Sequence, residues 1–178
     1  EMCIRDRLMR HGLAIMKALW AGETVTHERF WNIREARISP VPSEPVEVWV
    51  GSVAPAAINR TAQVADGWLG QPGMSLAEGI KQANQYRQAC AEHGTDSTAV
   101  AIRRDIFIGG TSQEANSVKE HYLSRGYRGF AEDAFMTGTV NEVAEQMQAF
   151  ADAGFTDIIV RNMSCLLYTS PSPRDRSS

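Results

Sequence analysis

The sequence predicts an α/β protein built on a parallel sheet. Four short apolar segments begin near Val46, Gly67, Val100 and Asp157, and each is followed by a stretch with helical periodicity except the last. The strand candidates are nearly continuous in their apolar character, as in strands covered on both faces, and strictly alternating β and α elements feed a parallel sheet. No short tandem repeat or low-complexity tract appears within Leu8 to Ser164.

Residues 1–7 (with Met2-Cys3-Ile4-Arg5-Asp6-Arg7) and 165–178 (from Cys165-Leu166-Leu167-Tyr168-Thr169) resemble translated transposase-adapter sequence from library preparation. They are set aside from the fold reading as expected artefacts, which leaves 8–164 as the expected natural segment, a partial domain. Leu8 to Ala21 carries Leu13, Met16, Leu19 and Trp20 among basic residues, an amphipathic helix that Gly22 ends. Glu23 to Pro45 reads as a long connection, extended at its end by Pro40, Pro42 and Pro45.

Val46, Val48 and Val50 alternate with Glu47 and Trp49, and the pattern stops at Gly51-Ser52. Pro55 then sits in the first turn of a helix whose Ile58, Ala62 and Ala65 share a face, and Gly67-Trp68-Leu69 opens the next strand. This is a βαβ unit. At the end of a parallel strand, Gly51 admits a ligand close to the backbone, Ser52 offers a hydroxyl, and the free N–H groups of the helix start attract an anion. On local grounds an ordinary βα turn that uses small residues for packing explains the segment better. Neither a dinucleotide fingerprint nor a P-loop is present.

Gln71-Pro72-Gly73 is a turn, and Ser75 with Glu78 caps a helix to about His93, stopped by Gly94. Val100 to Ile108 is a strand with Arg103-Arg104-Asp105 in its middle; an Arg or Asp at the mouth of a parallel sheet can bind a ligand phosphate or carboxylate, and an internal Arg–Asp pair at a strand end is the preferred reading. Thr111-Ser112 caps a helix to about Ser124. Arg125 to Thr137 is irregular, with Tyr127 and Arg128 as weak site candidates. Thr139 and Glu142 open a helix to about Ala153, and Asp157 to Val160 is the last strand, with Arg161 and Asn162 just beyond it.

Once the end segments are removed, Cys90 is the remaining cysteine of 3, so neither a disulfide framework nor a cysteine metal site is expected. A net charge of -3 and a pI of about 5.8 give no sign of nucleic-acid binding and suit a cytoplasmic protein. No apolar run reaches the roughly 18 residues of a membrane span.

Several segments together resemble the luciferase-like monooxygenase family, the flavin- or deazaflavin-dependent oxidoreductases. They are Val48-Trp49-Val50-Gly51-Ser52 with Pro55-Ala56-Ala57, Ala65-Asp66-Gly67-Trp68-Leu69, Gly138-Thr139 through Gln146, and Ala153-Gly154-Phe155 through Arg161. The resemblance implies the C-terminal half, about strands 5 to 8, of a (β/α)8 TIM barrel. It places the cofactor phosphate at the turn after the fifth strand, here Gly51, Ser52 and the backbone of Val53 and Ala54. It implies FMN, or alternatively the deazaflavin F420, and a small organic substrate that is oxidised by oxygen or hydride chemistry. A flavin reductase as partner and a homo-oligomeric parent follow from the same resemblance. The catalytic residues belong to the other half of the barrel and are unknown, so this segment alone is expected to be inactive. The alternative is a non-catalytic flavoprotein or phosphate-ligand binding module on the same barrel. No metal is expected.

Overall fold

The computed structural model describes residues 2–163, so the segment 165–178 read as adapter lies outside it. The chain comprises two units, one up to Val48 and one from Trp49 onward. In the first, α1 (Met2–Trp20) runs back through the other segment read as adapter and is followed by a two-stranded antiparallel hairpin of β1 (Val25–His27) and β2 (Ile33–Ala36). The hairpin replaces the connection expected over Glu23 to Pro45. Its β-branched and aromatic residues pack locally, with the rings of His11, His27, Phe30 and Trp31 in one cluster.

The second unit carries β3 (Trp49–Gly51), α2 (Pro55–Val64), β4 (Gly67–Gly70), α3 (Leu76–His93), β5 (Ala99–Ile108), α4 (Ser112–Leu123), β6 (Phe135–Gly138), α5 (Val140–Asp152) and β7 (Asp157–Asn162). All strand pairs in this sheet are parallel. β3 starts three residues later than its apolar pattern, because pairing begins where Trp49 meets Gly67.

β5 organises the sheet. Ala101 and Ile102 are paired on both edges, to Leu69 and Gly70 and to Asp157 and Ile158. Asp105 and Ile106 are paired to Phe135 and Met136 and to Arg161 and Asn162. A residue has one partner per edge, so β7 flanks one edge of β5 while β4 and β6 follow each other along the other. β3, β4, β5 and β7 with their helices are the C-terminal half of a (β/α)8 barrel. β6 is an addition that the sequence reading left inside an irregular stretch.

Alternation along the strands separates two faces. Val100 and Ile102 of β5 join Ile58, Trp68, Ala83, Tyr86 and Phe150 in the core between sheet and helices. Trp68 stacks on Tyr86 with ring centroids 6.2 Å apart. The opposite, inner face carries Trp49, Gly67, Ala99, Ala101, Arg103 and Asp105. Gly67 is required there: a Cβ at this position would lie 2.7 Å from Trp49 Cδ1 and 2.8 Å from Ala99 Cβ.

The helix ends follow the sequence signals closely. Ser75 Oγ accepts from Glu78 N at 3.2 Å and Gly94 closes α3 in the left-handed region, although the Glu78 carboxylate takes Gln82 Nε2 in place of the reciprocal capping bond. The full capping box occurs at α5, where Thr139 and Glu142 exchange bonds. Hydrogen bonds to Glu142 from the Thr139 N–H, the Ser112 hydroxyl and the Thr139 hydroxyl hold its carboxyl below the usual carboxylate range.

Two outcomes follow. Gly67→Ala should destabilise the fold by about 1–3 kcal/mol through overpacking, read as a lower urea midpoint. Because the folded-state pKa of Glu142 is lowered, its stabilisation is present above the ordinary carboxylate pKa and is lost as pH falls through the lowered value. Glu142→Gln should therefore flatten the acid side of a stability-versus-pH curve, and an unchanged slope would show that this bond set does not matter.

Candidate functional site

In parallel α/β sheets ligands bind beyond the C-terminal ends of the strands, and in barrels the loops at that face build the site. Here that end is lined by the turn after β3, the Gln71-Pro72-Gly73 turn after β4, the upper part of β5 and the end of β7.

Gly51 and Val53 are exposed, and a Cβ on Gly51 would meet only Leu69 O at 3.8 Å, so the turn is open on the side of the sheet end. Ala54 is the N-cap of α2 and offers no side-chain cap, with Pro55 in the first turn. The first-turn donor of Ala56 is thus left to a ligand or solvent, whereas Ala57 N and Ile58 N bond to Ala54 O. Trp68 Nε1 donates to Ser52 O at 2.9 Å in a buried bond, which fixes the turn to the core.

Ser52 itself differs from the simple expectation. Its side chain is buried, and Oγ lies 3.0 Å from Thr61 Oγ1, which in turn donates to Ala57 O at 3.0 Å. With Thr61 bonded to Ala57, Ser52 is the donor to Thr61. Rotation of the Thr61 proton onto Ser52 Oγ would release the Ser52 proton for a ligand at the cost of the Ala57 bond. The Ser52 hydroxyl is thus committed to Thr61 and reaches a ligand only through this exchange.

A second polar cluster lies on the inner face of β5 and β7. Asp105 is fully buried, and its Oδ2 accepts from Arg161 Nη2 at 2.6 Å and from the Tyr127 hydroxyl at 3.2 Å. Arg161 Nη2 also donates to the Tyr127 oxygen. Arg103 Nη2 is 3.8 Å from Asp105 Oδ1. Tyr127 belongs to a single turn of 3₁₀ helix (Tyr127–Gly129) whose Arg128 has φ 52, and the Arg128 guanidinium sits 5.6 Å from the Tyr127 ring centre. Sequence reasoning named Tyr127, Arg128, Arg161 and the Arg–Asp run separately; the sheet register brings them together. Asn162 faces the other way from Arg161.

Arg104, next in sequence, points to the helix side. It is fully buried, donates from Nη1 to Pro72 O at 2.7 Å and lies 4.7 Å from the Phe150 ring centre. Burial pulls its pKa down to about 10. A cleft of about 330 Å³ on that side is lined by Leu76, Lys119, Asp133, Met136, Gln146 and Phe150, away from the turn after β3. Among the described residues no cluster of His, Cys, Asp and Glu could hold a metal, and no helix is long and apolar enough to cross a membrane.

The profile of the luciferase-like monooxygenase family matches residues 4–134. The chain belongs to this family. The match ends before the Gly138-to-Gln146 and Phe155-to-Arg161 segments. An F420-dependent glucose-6-phosphate dehydrogenase of Microbacterium testaceum is 30% identical over 95 residues, covering 47% of this chain and 28% of that protein. Among solved structures, an F420-dependent secondary alcohol dehydrogenase in complex with an F420-acetone adduct superposes with a TM-score of 0.71 at 12% identity, covering 89% of this chain and 56% of the other. The oxygenating constituent of 3,6-diketocamphane monooxygenase of Pseudomonas putida, in complex with FMN, gives 0.60 at 17%, covering 86% and 55%. The chain therefore spans about half the length of these solved luciferase-like relatives.

The Asp105–Arg161 pair is expected to be costly to break from one side only. Arg161→Met in the full-length protein should lose about 3–5 kcal/mol, and adding Asp105→Asn should recover most of it, a coupling that a double-mutant cycle in urea would measure.

Proposed function

We propose that the protein containing this chain is a cofactor-dependent oxidoreductase of a small organic substrate, with the turn Gly51 to Ala54 holding the cofactor phosphate. The observation that carries this is the uncapped, open start of α2 directly after a parallel strand, in a luciferase-like barrel. We favour F420 over FMN because the dehydrogenase at 30% identity is F420-dependent. A flavin reductase would be needed as partner only with FMN. The cofactor supplies the redox chemistry when bound. The protein's part is to orient and shield it.

In this reading the free Ala56 N–H of α2 binds the phosphate together with the backbone of residues 51–54, and the helix dipole adds to the attraction. Trp68 keeps the turn from shifting, and Ser52 joins by the hydroxyl exchange with Thr61. The 125–134 segment, which brings Tyr127 onto Asp105, covers the upper inner face of β5 and limits water there.

Titration calorimetry of the full-length protein with F420 and with FMN tests this. F420 should bind more tightly. Ser52→Ala should weaken it by roughly 1 kcal/mol, about one hydrogen bond to a charged group after the exchange is offset. Equal affinity of wild type and Ser52→Ala for both cofactors would remove Ser52 from the phosphate site, and failure of both cofactors to bind wild type would overturn the reading.

A further inference from the structure

The inner face of β5 and β7 holds more cation than its single buried carboxylate balances. Arg103, Arg161 and, at the rim, Arg128 surround Asp105 and the Tyr127 ring. The neighbouring acids are committed elsewhere: Asp157 accepts from Thr156 at the far end of β7, Asp133 accepts from Leu76 N, and Glu132 pairs with Lys119. Arg103 Nε and Nη2, Arg161 Nε and Asp105 Oδ1 are buried without a hydrogen-bond partner among the described residues.

Unpaired buried donors on charged groups are costly, and a surplus guanidinium in a half-buried position is stabilised best by an anion. Arg103 and Arg161 keep 31% of their side-chain surface exposed, while Arg103 Nε and Nη2 and Arg161 Nε are themselves covered. Arg128 is held at a positive φ that a non-glycine residue rarely adopts, which is the kind of strain retained at binding sites.

The phosphate turn and this cluster are separate places. β3 and β7 are three strand spacings apart across the sheet, on the order of 14 Å, so one phosphate group cannot bridge them.

We propose that Arg103 and Arg161 form a second anion site that binds the acid group of the substrate, which makes the substrate a small organic molecule bearing a carboxylate, phosphate or sulfonate. This rests on the oxidoreductase reading for the location of the substrate inside the barrel. Tyr127 and Asp105 hold Arg161 in place, and Arg103 supplies donors that Asp105 leaves unused.

The test is ¹⁵N NMR of the arginine Nε–H groups in the full-length protein during titration with acetate, inorganic phosphate and sulfate, with F420 titrated into the same samples. The Arg103 and Arg161 signals should shift and saturate. Arg103→Gln should weaken anion binding about tenfold or more, Arg103→Lys should retain most of it, and exposed Arg34→Gln should not change it. F420 affinity should be unchanged by Arg103→Gln; an equal fall would assign the anion to the cofactor and overturn the substrate assignment. Absence of shifts with all three anions while F420 still binds overturns this site alone.

Discussion

The period-two alternation of β5 is the constraint on which the second unit depends. Its central residues are paired on both edges, so a slip of one residue would exchange every side chain between the two faces. Val100 and Ile102 would leave the core, and the adjacent arginines would trade places. As folded, Arg104 lies among the helices, tied to Pro72 O and the Phe150 ring, while Arg103 and Asp105 face inward. Two neighbouring arginines thus have opposite uses. One braces the turn after β4 from behind, and the other contributes to a polar surface where the rest of a barrel would close.

The turn after β3 shows the same division between support and availability. Trp68 is fully buried and stacked on Tyr86, yet its indole N–H is spent on Ser52 O, so the aromatic core directly positions the backbone of the candidate phosphate site. The Ser52–Thr61 hydroxyl pair sits one layer out. It satisfies both side chains in the absence of a ligand, and it is able to reverse its proton direction without moving a heavy atom. A turn built this way avoids an unsatisfied buried hydroxyl and still keeps one donor in reserve.

The helices were legible because their ends carry local chemistry. Ser75 and Gly94, Thr111 and Glu114, and Thr139 with Glu142 act through bonds no more than a few residues long. The hairpin of β1 and β2 and the short β6 were missed for the opposite reason. Phe135 to Gly138 forms a strand because Asp105 to Ile108 presents an open edge, and nothing within those four residues states this. The small-residue turn at Gly51 to Ala54 was readable as a pattern, but the inward direction of Ser52 was not, since it depends on Thr61 one helix turn and a half along α2. Likewise Arg103-Arg104-Asp105 looked like one internal pair. Asp105 instead takes its close partner from β7, 56 residues away.

That last difference changes what the charges mean. An Arg–Asp pair adjacent on one strand would be a closed local account with no surplus. Because Arg161 claims Asp105 from across the sheet, with Tyr127 supporting the same oxygen, Arg103 is displaced to 3.8 Å from the other oxygen and left with unused donors. Replacing such a cluster by apolar side chains would usually be neutral or stabilising, so its presence argues for a use other than stability. On the proposed reading, two anion sites stand at one end of the sheet, one built from backbone N–H groups and one from guanidiniums. The first suits a phosphate held by a rigid turn, and the second suits a planar or tetrahedral acid group gripped by forked side chains. A cofactor fixed at the β3 end and an acidic substrate fixed at the β7 end would approach each other over β4 and β5, across the paired inner residues Leu69 and Ala101.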